Sequence, residues 1–266
     1  MAQNDLTQGS ITGNISRFSL PYMLSYFLQI LYGLADMFVI GQYCGVDSTT
    51  AVANGAQIMH MFTVIIIGLA MGMTVRLGRA IGAKDKNEAS KTIGNTFTLF
   101  ALTAIVATFI LLLANRSIVS MIDTPPEAVK GTIAYLRICF IGIPFIIAYN
   151  IIASIFRGLG DSKSPMYFVI VACVANIALD YIFIGHFGLG PSGAALGTTL
   201  SQMISVIIAA IVIRRKSLLN ISGQDLRPER RTMGGILKIG IPVALQDGFI
   251  QIAFIAITAI ANGRGL

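Results

Sequence analysis

The chain has 266 residues, of which 55% are apolar and only 12% charged, and its mean hydropathy is +0.77. That balance excludes an ordinary soluble domain. The net charge of +7 is not laid out as a basic patch interleaved with aromatics, which argues against a nucleic-acid partner.

The N-terminus is polar and lacks the basic start, short apolar core and cleavage site of a secretory signal, so insertion is expected to begin with the first spanning helix. Seven apolar runs follow, at about 18–41, 52–75, 92–114, 132–156, 165–188, 193–213 and 236–261. Each is near the ~20 residues that cross a bilayer as a helix. None alternates as a barrel strand would, so the fold class is an all-α integral membrane protein. Between runs two and three lie Arg76, Arg79, Lys84, Lys86 and Lys91. Between four and five lie Arg157 and Lys163, and between six and seven Arg214, Arg215, Lys216, Arg227, Arg230 and Arg231. The opposite connections hold little beyond Arg116 and Lys130, which places the basic connections and the N-terminus in the cytoplasm. Odd-numbered spans then run outward.

Of twelve acidic residues, only Asp36, Asp180 and Asp247 fall within spans. Asp36 lies seven residues before Tyr43, and Asp180 six before His186, so both sit roughly 10 Å below the outer face at 1.5 Å per residue. Thr198, seven residues after Pro191 on an inward-running helix, reaches the same level. Asn176 stacks one turn from Asp180 on the same helix face. Three helices therefore bring oxygen-bearing side chains to one depth. Carboxylates, an amide carbonyl and a hydroxyl are hard-oxygen ligands suited to Na⁺, and two desolvated carboxylates can also share a proton. An intramembrane ionisable residue is a functional site by default, so Asp36, Asn176, Asp180 and Thr198 are read as a cation or proton site. Thr198 taken alone is equally read as a hydrogen bond to a neighbouring helix.

Pro21 is a candidate hinge in the first span, because proline deletes a backbone hydrogen bond; the plainer reading places it in the first turn, where proline is tolerated. Asp247, about 7 to 8 Å past Pro242, is too far from the outer notch to join it and is a candidate for a substrate cleft. Arg137 is expected to snorkel to the headgroups. His60 and the methionines Met59, Met61, Met71 and Met73 are read chiefly as packing. Cys44, Cys139 and Cys173 have neither disulfide nor metal spacing and read as small packing residues. Gly68, Gly72, Gly78, Gly193 and Gly197 favour close helix contact, and Gly158-Leu-Gly160 has no nucleotide-binding context.

An internal repeat completes the pattern: Ile15-Ser-Arg-Phe-Ser-Leu-Pro21 recurs as Ile236-Leu-Lys-Ile-Gly-Ile-Pro242, displaced by 221. A unit of six helices and a basic loop begins its second copy in the same orientation, as in transporters built of two parallel bundles. The expected organisation is a first lobe over 1–213, a basic inter-lobe loop over 214–235 and the first helix of a second lobe over 236–266. The same shift sets Ile257 opposite Asp36, so the ion site belongs to the first bundle.

Ser19-Leu-Pro21, Tyr32-Gly-Leu-Ala-Asp-Met-Phe-Val-Ile-Gly41, Arg79-Ala-Ile-Gly-Ala-Lys84, Arg157-Gly-Leu-Gly-Asp161, Asn176-Ile-Ala-Leu-Asp180 and Gly193-Ala-Ala-Leu-Gly-Thr198, in this order, resemble the multidrug and toxic compound extrusion (MATE) family. The resemblance implies a twelve-helix, two-lobed antiporter in the inner (plasma) membrane. It would export cationic or amphipathic compounds in exchange for Na⁺ or H⁺, with the coupling ion at the positions of Asp36, Asn176, Asp180 and Thr198. It implies no other cofactor, and it implies that the remaining helices belong to a longer chain. Two rivals are a lipid-linked oligosaccharide flippase, whose cleft would carry several cations, and a non-transporting membrane assembly module. No nucleophile with its base and no metal cluster points to an enzyme.

Overall fold

The computed structural model describes residues 9–215 and 222–263, with side chains of the last helix to Ile260; Lys216 and the end at Leu266 lie outside them. The described elements are helices: α1 (Ile11–Tyr43), α2 (Val46–Gly82), α3 (Lys86–Met121), α4 (Pro126–Ile141), α5 (Ile143–Gly158), α6 (Lys163–Asp180) continued by a π-helical turn (Tyr181–His186), α7 (Pro191–Arg215) and α8 (Arg230–Gly263). Local chemistry sets their ends. The Ser10 hydroxyl accepts from the Gly13 N–H at 3.5 Å, and Asp85 accepts from the Glu88 N–H at 3.0 Å, capping α1 and α3. Lys84 (φ 57°) and Gly160 (φ 81°) turn left-handed after α2 and α5. The next N–H in each case reaches back five residues, Asp85 to the Ala80 carbonyl and Asp161 to that of Phe156, both at 2.9 Å. Asp161 then caps α6 by accepting from the backbone N–H groups of Lys163 and Ser164 at 3.0 Å. The Gly158-Leu-Gly-Asp161 stretch is therefore a helix stop followed by a helix start.

Six helices are long and apolar enough to span a bilayer singly, and α4 with α5 makes a seventh, broken by 55°. The run at 132–156, expected as one continuous span, is thus bent. Pro144 in the first turn of α5 has no N–H to close the helical ladder, and Thr199 of α7 occupies the place a Cβ on Gly142 would need. α1, α2, α3 and α8 outlast their apolar runs by two or more turns. α1 begins at Ile11, so Pro21 lies inside the helix and not in its first turn, with the Ser25 hydroxyl donating to the Pro21 carbonyl at 2.8 Å. Pro242 lies likewise inside α8, and Asp247 falls near the middle of that 34-residue helix.

The basic residues expected in loops sit mostly on helix ends, gathered at one end of the bundle. There the Arg76 Nε donates to Glu88 at 2.8 Å and a second nitrogen reaches the Arg231 carbonyl at 3.4 Å. Asn95 of α3 holds the α7–α8 connection with both ends of its amide, donating to the Asp225 carbonyl at 3.2 Å and accepting from the Glu229 N–H at 2.7 Å. Thr98 adds a hydrogen bond to the Leu226 carbonyl at 2.6 Å. Within that connection the Ser222 N–H and hydroxyl both donate to Asp225, holding its carboxyl below the usual carboxylate range.

α2 is the central helix, packed against α3, α4, α5 and α8. Its Ile66, Met73 and Leu77 meet Leu136, Phe140, Ile143 and Ile151 in the core. Met59 is also buried, whereas His60, read as a packing residue, is exposed on the outside of α2. Leu102, Ile105, Phe109 and Leu113 of α3 form an exposed stripe at helical spacing, the face such a helix turns to hydrocarbon. Lipid tails are as apolar as leucine, so helices in a bilayer adhere through close backbone approach. Gly68 lies against Ala244 of α8, and Gly72 against the Ile236 carbonyl and Gly240.

Gly72→Leu should therefore pry α8 off α2. In a background without the native cysteines, disulfide formation between Ile65→Cys and Gly248→Cys should fall at least several-fold, while Gly33→Leu, with nothing within 4 Å of its Cβ position, should leave it unchanged. Equal yields in both variants would show that the glycine seam does not hold α8.

Candidate cation site in the bundle

The four residues singled out by depth come together. Asp36 projects from α1, Asn176 and Asp180 from α6 and Thr198 from α7, and the Asp36 carboxyl faces the side chains of the other three. Thr198 donates its hydroxyl proton to Asp36 Oδ2 at 3.2 Å. Asp36 is 6% exposed, and Asn176 and Asp180 are 0% exposed. Bulk water therefore cannot solvate the carboxylates. Asp36 Oδ1, both Asp180 oxygens and both polar atoms of Asn176 have no hydrogen-bond partner. A buried polar atom left unmatched costs about 1–3 kcal/mol, and more when charged. Five carboxylate and amide oxygens against one amide nitrogen and one hydroxyl make an acceptor-rich pocket that a small cation or a shared proton would satisfy. Among the described residues no group of three or more His, Cys, Asp or Glu side chains gathers. The donor set is the hard-oxygen kind that suits Na⁺ rather than a transition metal.

Close helix contact makes this geometry. A Cβ on Gly197 would collide with Asp180 Oδ1, and one on Gly193 would press on Ile184 at 3.1 Å. The absence of side chains at these two positions lets α7 lie directly against α6. Immediately after Asp180 the helix widens into the π-helical turn Tyr181–His186, packed edge to face between Tyr181 and Tyr43 with centroids 6.2 Å apart. Such turns occur mostly as single-turn bulges within α-helices and are frequent at functional sites.

Beside the pocket, the Tyr32 hydroxyl faces the Gln202 amide, and the Cys139 thiol sits between Tyr135 and Thr199. The sequence reading had not singled out Tyr32, Gln202, Tyr135 or Thr199, although Tyr32 is four residues from Asp36 and Gln202 four from Thr198. That is the spacing which joins Asn176 to Asp180. All three cysteines are free, with Cys139 buried. Pro21 lies fifteen residues down α1 from Asp36, and Asp247 is brought near Tyr26 rather than to the pocket.

The fold and this pocket define a multi-pass membrane protein of paired long helices with a buried carboxylate site. The chain belongs to the MatE family, which matches residues 21–182. It is 29% identical to the probable multidrug resistance protein YoeA of Bacillus subtilis, over 96% of this chain and 57% of that protein. It is 31% identical to the probable multidrug resistance protein YpnP of the same organism, over 100% of this chain and 59% of that one. The fold matches the outward-facing structure of a multidrug resistance MATE family transporter of the MOP superfamily with a TM-score of 0.88 and 29% identity, covering 96% of this chain and 56% of that chain. The chain thus spans little more than half the length of the curated relatives it matches.

Because Asp180 has no clearance from α7, Gly197→Ala should push its carboxyl out of the pocket. The expected result is an apparent ion affinity weaker by about tenfold or more, read as the ion-dependent shift in thermal midpoint, with Gly33→Ala as the neutral control. An unchanged response would show that the pocket tolerates the methyl group.

Proposed function

We propose that this chain forms the ion-coupling half of an exporter that trades Na⁺ or H⁺ for cationic or amphipathic compounds, with Asp36, Asn176, Asp180 and Thr198 as the coupling site. The observation that carries this reading is the convergence of three helices on a buried, acceptor-rich pocket. The relatives' names, which describe multidrug resistance proteins, support the substrate class. In this reading the basic end of the bundle faces the cytoplasm of a plasma membrane, residues 1–213 form the first lobe, 214–235 the connection, and 236–266 open the second lobe. Proteins of the relatives' length would supply the rest.

The mechanism follows from electrostatics. With a cation or proton bound, the two carboxylates attract a common centre and α1, α6 and α7 close around it. Without one, two like charges repel across a low-dielectric gap and the helices favour a second packing. An ion shifts this equilibrium only by its differential affinity for the two arrangements; a change from 1:99 to 99:1 needs about 5.5 kcal/mol. Pro21 gives α1 a place to bend, since the Arg17 carbonyl one turn earlier lacks its usual partner. Asp247 on α8 offers a negative charge for a cationic compound between the lobes.

Two measurements test the site. Asp36→Asn and Asp180→Asn in a transporter with both lobes should each cut ion-coupled efflux by at least about a hundredfold, close to 3 kcal/mol, without reducing the amount inserted. On the purified chain, Na⁺ titrated across pH should show saturable binding that is lost in Asp180→Asn and competes with protons. Wild-type efflux from both variants would refute the coupling role.

A further inference from the structure

The polar lining of the cation pocket continues by one turn on two of its three helices. Tyr32 stands one turn before Asp36 on α1, and Gln202 one turn after Thr198 on α7. The Tyr32 hydroxyl faces the Gln202 amide and lies within the field of Asp36. One pair steps back along α1 while the other steps forward along α7, so the Tyr32–Gln202 contact stacks under the Asp36–Thr198 hydrogen bond. Gln202 is half-buried as a residue, but its amide oxygen is enclosed and has no hydrogen-bond partner.

Neighbouring polar groups on α7 are provided for. The Ser201 hydroxyl donates to the Thr198 carbonyl and the Ser205 hydroxyl to the Phe168 carbonyl, both at 2.9 Å. A hydroxyl can borrow the second lone pair of a helix carbonyl. An amide oxygen needs a donor, and the N–H groups inside a helix are already used. The open oxygen of Gln202 therefore joins those of Asp36, Asn176 and Asp180 as an acceptor without a donor. Side chains on a helix lean toward its N-terminus. Gln202 thus leans back over the turn that carries Thr198, and Asp36 over the turn that carries Tyr32, so the two converge across the about 6 Å that separates successive turns.

Coordination decides what such an oxygen serves. A proton shared between two carboxylates occupies two acceptors, and a neutral amide carries no titratable proton of its own. A desolvated metal cation exchanges its hydration shell for several oxygens at once. Oxygens beyond two are surplus to a proton and useful to Na⁺.

We propose that Gln202 supplies a further oxygen ligand to a Na⁺ ion held by Asp36, Asn176, Asp180 and Thr198, and so biases the pocket toward Na⁺ over H⁺. This rests on the coupling-site reading above and assigns its ion preference to a named side chain. The plain alternative is a Tyr32–Gln202 link that only fastens α1 to α7.

The test is a calorimetric Na⁺ titration of the purified chain in detergent at alkaline pH, beside the pH dependence of its thermal midpoint without Na⁺. Gln202→Met keeps the length and removes the oxygen. It should weaken Na⁺ binding by at least about tenfold and leave the Na⁺-free pH profile unmoved. Tyr32→Phe cuts the link but keeps the oxygen, and should weaken Na⁺ binding much less. Gln202→Glu retains an oxygen at the same place and should bind Na⁺ at least as tightly as the wild type; it decides the matter if Gln202→Met does not fold. Unchanged Na⁺ affinity in Gln202→Met, equal losses in Gln202→Met and Tyr32→Phe, a pH profile that moves together with Na⁺ affinity, or weakened Na⁺ binding in Gln202→Glu would overturn the proposal. A wild type that takes up protons but no Na⁺ would overturn it too and leave a proton-coupled pocket standing, whereas one that responds to neither ion would remove the coupling site itself.

Discussion

Two carboxyl side chains packed into one apolar pocket need a positive partner, and that requirement organises the rest of this bundle. Asp36 and Asp180 come from helices far apart in the chain, and neither oxygen set can be satisfied by backbone donors, which the helical ladders already use. The pocket works because α7 carries glycine where it touches Asp180, and because the hydroxyl of Thr198 supplies one donor while leaving the remaining oxygens open. A bulkier α7 would separate the helices, and a pocket with more donors would satisfy the oxygens without an ion. On the reading proposed above, the acceptor excess is what makes the site responsive to an ion.

The opposite end of the bundle is built for cohesion. The α7–α8 connection is fastened to α3 through Asn95 and Thr98, and Arg76 joins α2 to Glu88 of α3 and to the backbone at the start of α8. With the glycine seam between α2 and α8, these contacts tie the start of α8 to the first six spans. On the reading proposed above, ion occupancy changes the packing of α1, α6 and α7 at one end while the other end stays fastened. A helix pinned at one end and free to repack at the other converts a small change at the pocket into a bend, and Pro21 and Pro242 weaken the ladder part way along α1 and α8.

Much of this was legible along the chain. The apolar runs located the spans, since bilayer thickness sets their length. The spacing of Asn176 from Asp180 put both on one face, and the depths of Asp36 and Thr198, counted from the helix ends, matched it. The same four-residue step would have added Tyr32 and Gln202. The helix limits were less legible: apolarity marks where a chain meets lipid, and a helix continues into polar surroundings until a cap or a left-handed residue stops it, as at Ser10, Lys84 and Gly160. For that reason Pro21 proved interior, and Arg157 proved helical.

The sequence by itself determined that the chain crosses a membrane as helices, that acids are scarce within them, and which acids share a depth. Both periodicity and depth are properties of single helices, fixed by rise per residue and by the cost of exposing polar groups to hydrocarbon. Only the tertiary structure decided which helix faces meet. The break at Gly142, the contact of Gly197 with Asp180, the widened turn after it and the seating of Arg157 over Tyr22 all depend on lateral packing between segments remote in the chain. In a bilayer that packing is settled by steric fit, and fit is invisible until the helices are brought side by side.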